Sequence, residues 1–212
     1  MTPTPTPTPG PRCAVPPSPP DHAHPTHHGH RTEHDMLGDV DVPADAYYGA
    51  HTARALANFP LTGETLADRP HMIRALAAVK CAAARANAEV GALDGTRASV
   101  IAHACAEIRD GALRDQFVVD LIQGGAGTST NMNANEVIAN RALELLGRSR
   151  GEYAVLHPLD HVDLGQSTND VHPIALKLAL DAHLAELLAA LAVPPRAASS
   201  SSTPSGRSST GV

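Results

Sequence analysis

Two polar segments carry the side chains with which this sequence could do chemistry. The residues from Gln123 to Glu136 contain the run GGAGTSTNMNANE, and Gln166 to Asp170 reads QSTND. Each segment comes just before or at the start of a helical pattern. Ser, Thr and Asn donate hydrogen bonds without carrying charge, glycines let backbone N–H groups approach closely, and a helix N-terminus adds positive partial charge. The pattern predicts a pocket for a small polyanion, built without a metal ion or a fixed cation.

The spacing alone is equally compatible with a purely structural role for these residues. Thr128 and Asn131 could cap the helix that follows the glycines, and Asn169 could cap the last helix of the chain. Ser, Thr and Asn side chains serve both purposes because their oxygen atoms accept bonds from unpaired helix N–H groups. Motifs elsewhere in the chain are therefore needed to choose between a cap and a site.

The bulk composition excludes several classes of protein. Trp is absent and aromatic residues make up 2% of the chain, so the core must consist mainly of Ala, Leu, Val and Ile. A net charge of -6 argues against a nucleic-acid partner, which would require a basic surface. No apolar run reaches the roughly 20 residues that a membrane span needs, and the N-terminus lacks the apolar core of a secretory signal. We expect neither a membrane nor a nucleic acid as partner.

The cysteines and the histidines indicate no disulfide framework and no metal centre. Cys81 and Cys105 fall within helical apolar patterns, and with Cys13 they form no C-x-x-C pair, so buried free thiols and a cytoplasmic location are expected. A His-x-x-x-His pair spans residues 157–161, but Pro158 opposes the helix that such a metal pair needs. The sequence predicts no metal ion and no cofactor.

Both ends of the chain have compositions that cannot build a core. Residues 1–30 contain a Thr-Pro repeat and a cluster of five histidines, and residues 194–212 form a Ser-rich tail. Both are predicted to be disordered, because they have too little apolar surface to offset the entropy lost on ordering. The histidine cluster is interpreted as a solvated arm with incidental metal affinity rather than as a metal site.

Apolar periodicity between these ends predicts a mainly α fold. Helical spacing indicates helices over residues 70–91, 97–110, 133–146 and 170–193, and an extended segment is expected over Gly38 to Pro43. In the last helix the leucines cover more than one stripe, a pattern typical of a helix that is buried on several sides in a bundle.

Four motifs in order resemble the N-terminal part of the aspartase/fumarase superfamily, and aspartate ammonia-lyases in particular. The resemblance runs from about residue 31 to about residue 191. It rests on Val42-Pro-Ala-Asp-Ala-Tyr-Tyr-Gly49, Gln123-Gly-Gly-Ala-Gly-Thr-Ser129, Asn131-Met-Asn-Ala-Asn-Glu-Val-Ile-Ala-Asn140 and Gln166-Ser-Thr-Asn-Asp170. The pattern Tyr-Tyr-Gly-x-His-Thr over 47–52, which includes His51 as a further candidate site residue, favours aspartases over fumarases.

The resemblance implies a domain plan and an assembly. It predicts a small N-terminal helical lyase domain over residues 31–165, followed over 166–193 by the first helix of a truncated long helical bundle. Members of the family form homotetramers through that bundle, and several subunits contribute to each active site. The present chain contains only the first of these bundle helices, so the same assembly is not expected of this chain alone.

The resemblance also assigns the substrate-binding residues. Thr128 corresponds to the hydroxyl that binds a carboxylate of the aspartate or fumarate substrate. Ser167, Thr168 and Asn169 correspond to the cluster that holds the other polar groups of this small dicarboxylate. The structural alternative, helix capping, is then the less favoured one.

Three further candidates carry a weaker assignment. Ser129 and Asn131 flank the carboxylate-binding threonine, and His157 matches a second anion site near the entrance in fumarases. Asp163 stands where the family usually has Asn, and Leu164-Gly165 also departs from the common pattern. These departures concern the second anion site and leave the main cluster unchanged.

The family's catalytic serine belongs to a later segment of the pattern Gly-Ser-Ser-x-Met-Pro-x-Lys, which this sequence does not contain. By family resemblance the chain is therefore expected to be an aspartate ammonia-lyase, an enzyme that converts L-aspartate to fumarate and ammonia. This particular chain is expected to be truncated and to lack the catalytic base. A fumarate hydratase-like lyase and a non-catalytic fragment that docks on full-length lyase subunits are the alternatives.

Overall fold

The structure is a computed structural model that describes residues 29–123 and 125–192. The predictions for the N-terminal arm and the Ser-rich tail therefore lie outside the described residues, apart from Gly29 and His30. The described part begins with an antiparallel hairpin of β1 (His30–Asp35) and β2 (Gly38–Pro43), in which Glu33 pairs with Val40. The extended segment predicted over 38–43 is confirmed as β2.

Five helices form most of the described chain, which confirms the mainly α fold. They are α1 (Ala50–Asn58), α2 (Pro70–Glu89), α3 (Gly95–Arg109), α4 (Thr128–Leu145) and α5 (Thr168–Ala192). Short 3-10 turns occur at Leu66–Asp68 and Arg114–Gln116, and a π-helical turn occurs at Pro158–Val162. That turn corrects the expectation that Pro158 would prevent a helix there: proline occupies its first position, where no intrahelical N–H is required.

Local sequence signals explain where α2 and α3 begin and end. Pro70 occupies the first turn of α2, and Gly91 follows its end with φ 75°, a left-handed conformation that favours glycine. Asp94 caps α3, because its side chain accepts a 3.0 Å hydrogen bond from the backbone N–H of Arg97. These two helices agree with the predicted spans to within two residues.

The core lies where α2, α3 and α4 pack together, and its composition is as predicted. Its largest fully buried apolar side chains include Leu76, Ile101, Ile108, Ile138 and Leu143, with Phe117 as the buried aromatic residue. Cys81 and Cys105 are buried and free, which confirms the expectation of unpaired thiols for these two; Cys13 lies outside the described residues. Burial raises the pKa of the Cys105 thiol well above its ordinary value, so this thiol stays neutral.

Helix α4 begins earlier than predicted, at Thr128 instead of near residue 133. The asparagines of the second half of the polar segment therefore lie within a helix, and Asn131, Asn133, Asn135 and Asn140 are all buried. Helix propensity disfavours Asn, but packing on the neighbouring elements overrides that preference here. The predicted helix over residues 133–146 is therefore corrected to Thr128–Leu145, which places the polar residues from Thr128 to Asn133 inside the helix.

Helix α5 also differs from its prediction. Only one narrow stripe, Val171, Ala175 and Ala179, is buried, and it packs on α2. Large apolar side chains on the rest of its surface are exposed, among them Ile174, Leu176, Leu178, Leu180, Leu184, Leu187, Leu188 and Leu191. Burial on several sides, as predicted, does not occur within the described part of this single chain.

None of the helices in the described ranges combines the length and the apolar character that crossing a membrane would require.

Candidate active site

The start of α4 is fixed by the side chain of Gln123. Its Oε1 accepts a 3.0 Å hydrogen bond from the backbone N–H of Thr130, while its Nε2 donates to Oγ1 of Thr130 at 3.0 Å and to the carbonyl of Asp120 at 2.8 Å. This clamp closes the glycine loop and satisfies one of the unpaired N–H groups of the first helical turn. Gly127, with φ 83°, completes the turn into the helix.

Asp120 anchors the base of the same loop. Its carboxylate accepts hydrogen bonds from the backbone N–H groups of Leu61, Thr62, Gly63 and Ile122. These N–H groups, the one of Ile122 first, hold the pKa of Asp120 far below its ordinary value, so the carboxylate is ionised at neutral pH. Asp120 therefore fixes the chain just before the candidate site to residues 61–63.

Thr128 is the first residue of α4, and its side chain is exposed. Its hydroxyl has no hydrogen-bond partner among residues 29–123 and 125–192, and the next residue, Ser129, is partly exposed. The N-terminal cap of α4 is Gly127, which offers no side chain, so Thr128 does not act as the cap that the structural alternative supposed. An unengaged hydroxyl at a helix N-terminus is suited to binding an anion.

The second polar segment opens α5, here with a side-chain cap. Oγ of Ser167 accepts a 3.2 Å hydrogen bond from the backbone N–H of Asn169, so Ser167 precedes the helix as its cap, and Asn169 does not take the capping role that the structural alternative gave it. Ser167 and Asn169 are exposed, while Thr168 is partly buried. Two polar side chains of this segment are thus available to a ligand.

Asn131 brings the two segments together. Its Nδ2 donates to Oγ1 of Thr168 at 3.2 Å and to Oδ1 of Asp163 at 3.3 Å. A second contact joins the glycine loop to α5, because a Cβ added to Gly127 would overlap the imidazole of His172. The N-termini of α4 and α5 therefore meet at one place, with Thr128 on one helix and the Ser-Thr-Asn cluster on the other.

A buried ion pair lies beneath this junction. Lys80 of α2 is completely buried, and its Nζ donates a short hydrogen bond to Oδ1 of Asp163. Burial lowers the pKa of Lys80 while the adjacent carboxylate opposes that shift. Asp163, one of the residues that depart from the family pattern, therefore connects α2 to Asn131 and so to the start of α5.

His157 forms a structural loop at some remove from these contacts. Its Nδ1 accepts hydrogen bonds from the backbone N–H groups of Leu159 and Asp160. The backbone N–H of His157 donates to Nδ1 of His161 at 2.7 Å. Each imidazole thus uses one ring nitrogen to hold the turn. No contact joins His157 to Thr128 or Ser167 in the part of the chain that the structure describes.

The Tyr-Tyr-Gly-x-His-Thr motif starts α1, where a buried glutamate caps the helix. The carboxylate of Glu136 in α4 accepts bonds from the backbone N–H groups of Gly49, His51 and Thr52 at 2.8, 2.8 and 3.1 Å. Burial raises the pKa of Glu136, and these N–H groups oppose the rise. The side chain of His51 is exposed, so the motif orients α1 on α4 and does not place His51 within the junction.

Sequence reasoning missed the supporting residues Lys80, Glu136 and His172. A signal existed for Lys80, because it follows Ile73 and Leu76 by seven and four residues and so lies on the apolar face of α2. A charge at such a position is buried only when it is paired, which predicts a partner without identifying it. The partners of Glu136 are backbone groups, which leave no trace in the sequence.

The junction is open to solvent in this single chain. Two surface depressions of about 370 and 410 Å³ lie elsewhere, beside Leu113 and Arg114 and beside Tyr47 and Arg141, and neither includes a residue of the two polar segments. What the junction offers is a set of neutral donors and two helix N-termini directed to one place, which is the chemistry of an anion site.

Comparisons with known proteins agree with the motifs. A family model described as Lyase matches residues 38–193. Aspartate ammonia-lyase from Pseudomonas aeruginosa is 55% identical over 150 residues, which cover 71% of this chain and 32% of that protein. Fumarate hydratase class II from Halobacterium salinarum is 55% identical over 154 residues, which cover 72% of this chain and 32% of that protein.

A solved structure has the same fold over this region. Fumarate lyase:delta crystallin from Brucella melitensis, in native form, matches with a TM-score of 0.75 and 54% identity, over 76% of this chain and 36% of that chain. The present chain therefore spans about a third of the length of the proteins it matches. These matches confirm the resemblance drawn from the four motifs.

Proposed function

This chain belongs to the lyase family, and from that membership and the geometry of the junction we propose that it carries the dicarboxylate-binding half of an aspartase-type ammonia-lyase. The reaction removes a proton from the carbon next to a carboxylate of L-aspartate and then expels ammonia, which leaves fumarate. The observation that carries the proposal is the contact of Asn131 with Thr168, which unites the two polar segments.

Each polar residue of the junction has a role in this proposal. Thr128 donates its hydroxyl to one carboxylate, and Ser167, Thr168 and Asn169 bind the remaining polar groups of the substrate. Asn131 positions Thr168 and does not need to touch the ligand, while Ser129 lies beside the carboxylate position. His157 is kept as part of a second anion site near the entrance, on the family resemblance alone.

Neutral donors suit this reaction because negative charge builds up on the carboxylate as the proton leaves. A donor directed at such developing charge contributes on the order of 3 kcal/mol to stabilising the transition state. The proposal assigns binding and charge stabilisation to the residues of the junction. Proton abstraction is left to a group outside the two segments, as the serine loop of the family would supply.

Open exposure of the junction agrees with a site that several subunits complete. The exposed leucines of α5 offer an apolar surface that bundle helices of further lyase subunits would cover, as in the homotetramers of the family. A non-catalytic role, in which this chain docks on full-length subunits through α5, uses the same surface. Gel filtration of the chain alone and mixed with an intact relative distinguishes self-assembly from docking on the relative.

A fumarate hydratase is the second candidate, because one such relative is as similar to this chain as the ammonia-lyase is. The two activities share fumarate and differ in the group that is eliminated. Competition between labelled fumarate and either L-aspartate or L-malate separates them. We expect L-aspartate to compete more strongly; stronger competition by L-malate would favour the hydratase.

The binding role is tested by titrating the full chain with fumarate in a calorimeter. Thr128→Val and Ser167→Ala should each weaken binding roughly tenfold or more, because each removes a hydrogen bond to a charged group. Thr96→Val and Ser99→Ala are matched controls, since both are exposed positions near the start of α3. Equal affinities in all five proteins, or no affinity in the unaltered chain, would contradict the proposal.

A further inference from the structure

A second group of ligand-type side chains lies between α2 and α5. It consists of His71, in the first turn of α2, and of His183 and Glu186, one turn apart on α5. We propose that these three residues bind a divalent transition-metal ion of the zinc class. The sequence predicts no metal ion. It does not identify this group, because residues 71 and 183–186 are far apart in the chain and only the packing of the two helices brings them together.

The geometry of the three side chains fits such an ion. Nε2 of His71 lies 3.0 Å from Oε1 of Glu186, and the ligand atoms of all three residues lie within 4.8 Å of one another. Two ligands at about 2.0–2.1 Å from a tetrahedral zinc ion are roughly 3.3 Å apart, so small side-chain rotations are sufficient. The imidazole rings of His71 and His183 meet edge to face with their centres 4.3 Å apart, which keeps both beside the same point.

The chemistry of the donors selects the class of ion. Two imidazoles and one carboxylate suit zinc and its neighbours in the transition series, whereas Mg²⁺ and Ca²⁺ prefer oxygen ligands only. Three protein ligands leave a fourth tetrahedral position for water. The side chain of His71 is only 12% exposed while that of Glu186 is 66% exposed, so an ion could enter from the α5 side.

This site is separate from the junction of α4 and α5. Helix α2 runs antiparallel to α5, because Asn87 near its end donates to the carbonyl of Leu164, whereas His71 at its start lies beside Glu186. A rise of roughly 1.5 Å per residue places Glu186 about 27 Å along α5 from Thr168. The ion would therefore fasten the far end of α5 to α2 without contacting the substrate residues.

Such a fastening has a structural consequence. Helix α5 is held on this chain by a stripe of three small or medium side chains, Val171, Ala175 and Ala179, none of which lies at the level of His183. An ion bound by both helices would stabilise the distal half of α5 and hence the apolar surface that this half presents. An ion that binds only the folded state raises its stability by mass action.

The experiment uses the full chain and removes the competing histidine cluster by Ser substitution at His22, His24, His27, His28 and His30. Calorimetric titration of this background with Zn²⁺ should give one ion per chain. His183→Asn, at an exposed position, should weaken binding by at least about 100-fold, since even the loss of a second-shell partner weakens metal sites roughly 10–100-fold. Glu186→Gln should weaken it as well.

His103→Asn is the matched control, because His103 also lies on a helix with a glutamate one turn away but, among the residues that the structure describes, is not part of a three-ligand cluster. It should leave zinc affinity unchanged. Zinc should also raise the melting temperature of the background protein, and His183→Asn should abolish that rise. Absence of zinc binding in the background, or equal affinity in the His183→Asn and His103→Asn variants, would overturn the proposal.

Discussion

Nδ2 of Asn131 lies 3.2 Å from Oγ1 of Thr168, so an amide in the first turn of α4 fixes the first residue of α5. The same amide donates to Oδ1 of Asp163, whose carboxylate also accepts a hydrogen bond from Nζ of the buried Lys80. Three helices thus meet through one polar chain of contacts. The position of the Thr168 hydroxyl therefore depends on these polar contacts between the three helices, and not only on the loop that precedes α5.

Replacing Asn131 by Ala should uncouple the two segments. We expect a loss of about 1–3 kcal/mol in the free energy of unfolding, because Asp163 and Thr168 lose a buried partner. Affinity for fumarate should fall in parallel, because Thr168 is no longer held. Denaturant unfolding and fumarate titration measure the two effects, with Asn58→Ala at the exposed end of α1 as control. Reduced stability with unchanged fumarate affinity would refute a positioning role.

Replacing Lys80 by Met should be the more damaging change. It leaves the carboxylate of Asp163 largely buried without its cation, which costs roughly 3–5 kcal/mol when one partner of a buried pair is removed. The double variant Lys80→Met with Asp163→Asn should recover part of that loss, because no unpaired charge remains. Urea unfolding of the single and double variants measures this. Lys177→Met, at an exposed position of α5, is the control and should be nearly neutral.

Apolar periodicity predicted the helices well where burial follows the pattern, as in α2 and α3. It failed at the start of α4, because the buried asparagines there break the apolar pattern although they lie in a helix. It also misjudged α5, where the leucines indicate burial on several sides but only the stripe through Ala175 is packed in this chain. A periodic pattern records which side chains favour burial and not whether one chain provides the covering surface.

Some residues of the candidate site could likewise be proposed from the sequence, and others could not. Thr128, Ser167 and Asn169 could be proposed from the sequence because they lie in short motifs at helix starts. The pairing of Lys80 with Asp163 could not, since it depends on how α2 packs against the turn before α5. The proposed metal ligands are a further example, because they share no motif and meet only in the folded chain.

Glycine at position 127 is predicted to be required for the stability of the fold for two reasons, which a control variant can separate. Its φ of 83° is unfavourable for any residue with a Cβ, by about 1–2 kcal/mol, and a Cβ would also displace His172. Gly147→Ala carries the first penalty alone, because φ is 69° there and the space around it is open. Gly127→Ala should therefore lose more stability than Gly147→Ala and also weaken fumarate binding. Equal effects of the two variants in thermal unfolding would contradict the close approach to His172.

The partly buried His172 should make the stability of the chain sensitive to mildly acidic pH. Burial lowers the pKa of His172 below its ordinary value of 6.5. Between the lowered pKa of the folded state and about 6.5, the unfolded state therefore binds more protons than the folded state. The stability contributed by neutral His172 is fully present above about pH 6.5 and is lost as the pH falls through the folded-state pKa.

His172→Gln should flatten that part of the stability profile, since glutamine does not titrate. Chemical unfolding at a series of pH values, in the unaltered chain and in the variant, measures the difference in slope. Burial also lowers the pKa of His161, so a residual slope of the same sign should persist in the variant. His51→Gln, at an exposed position, is the control variant measured in the same series. If His172→Gln and the unaltered chain had the same slope, the imidazole against Gly127 would not be the group that resists protonation.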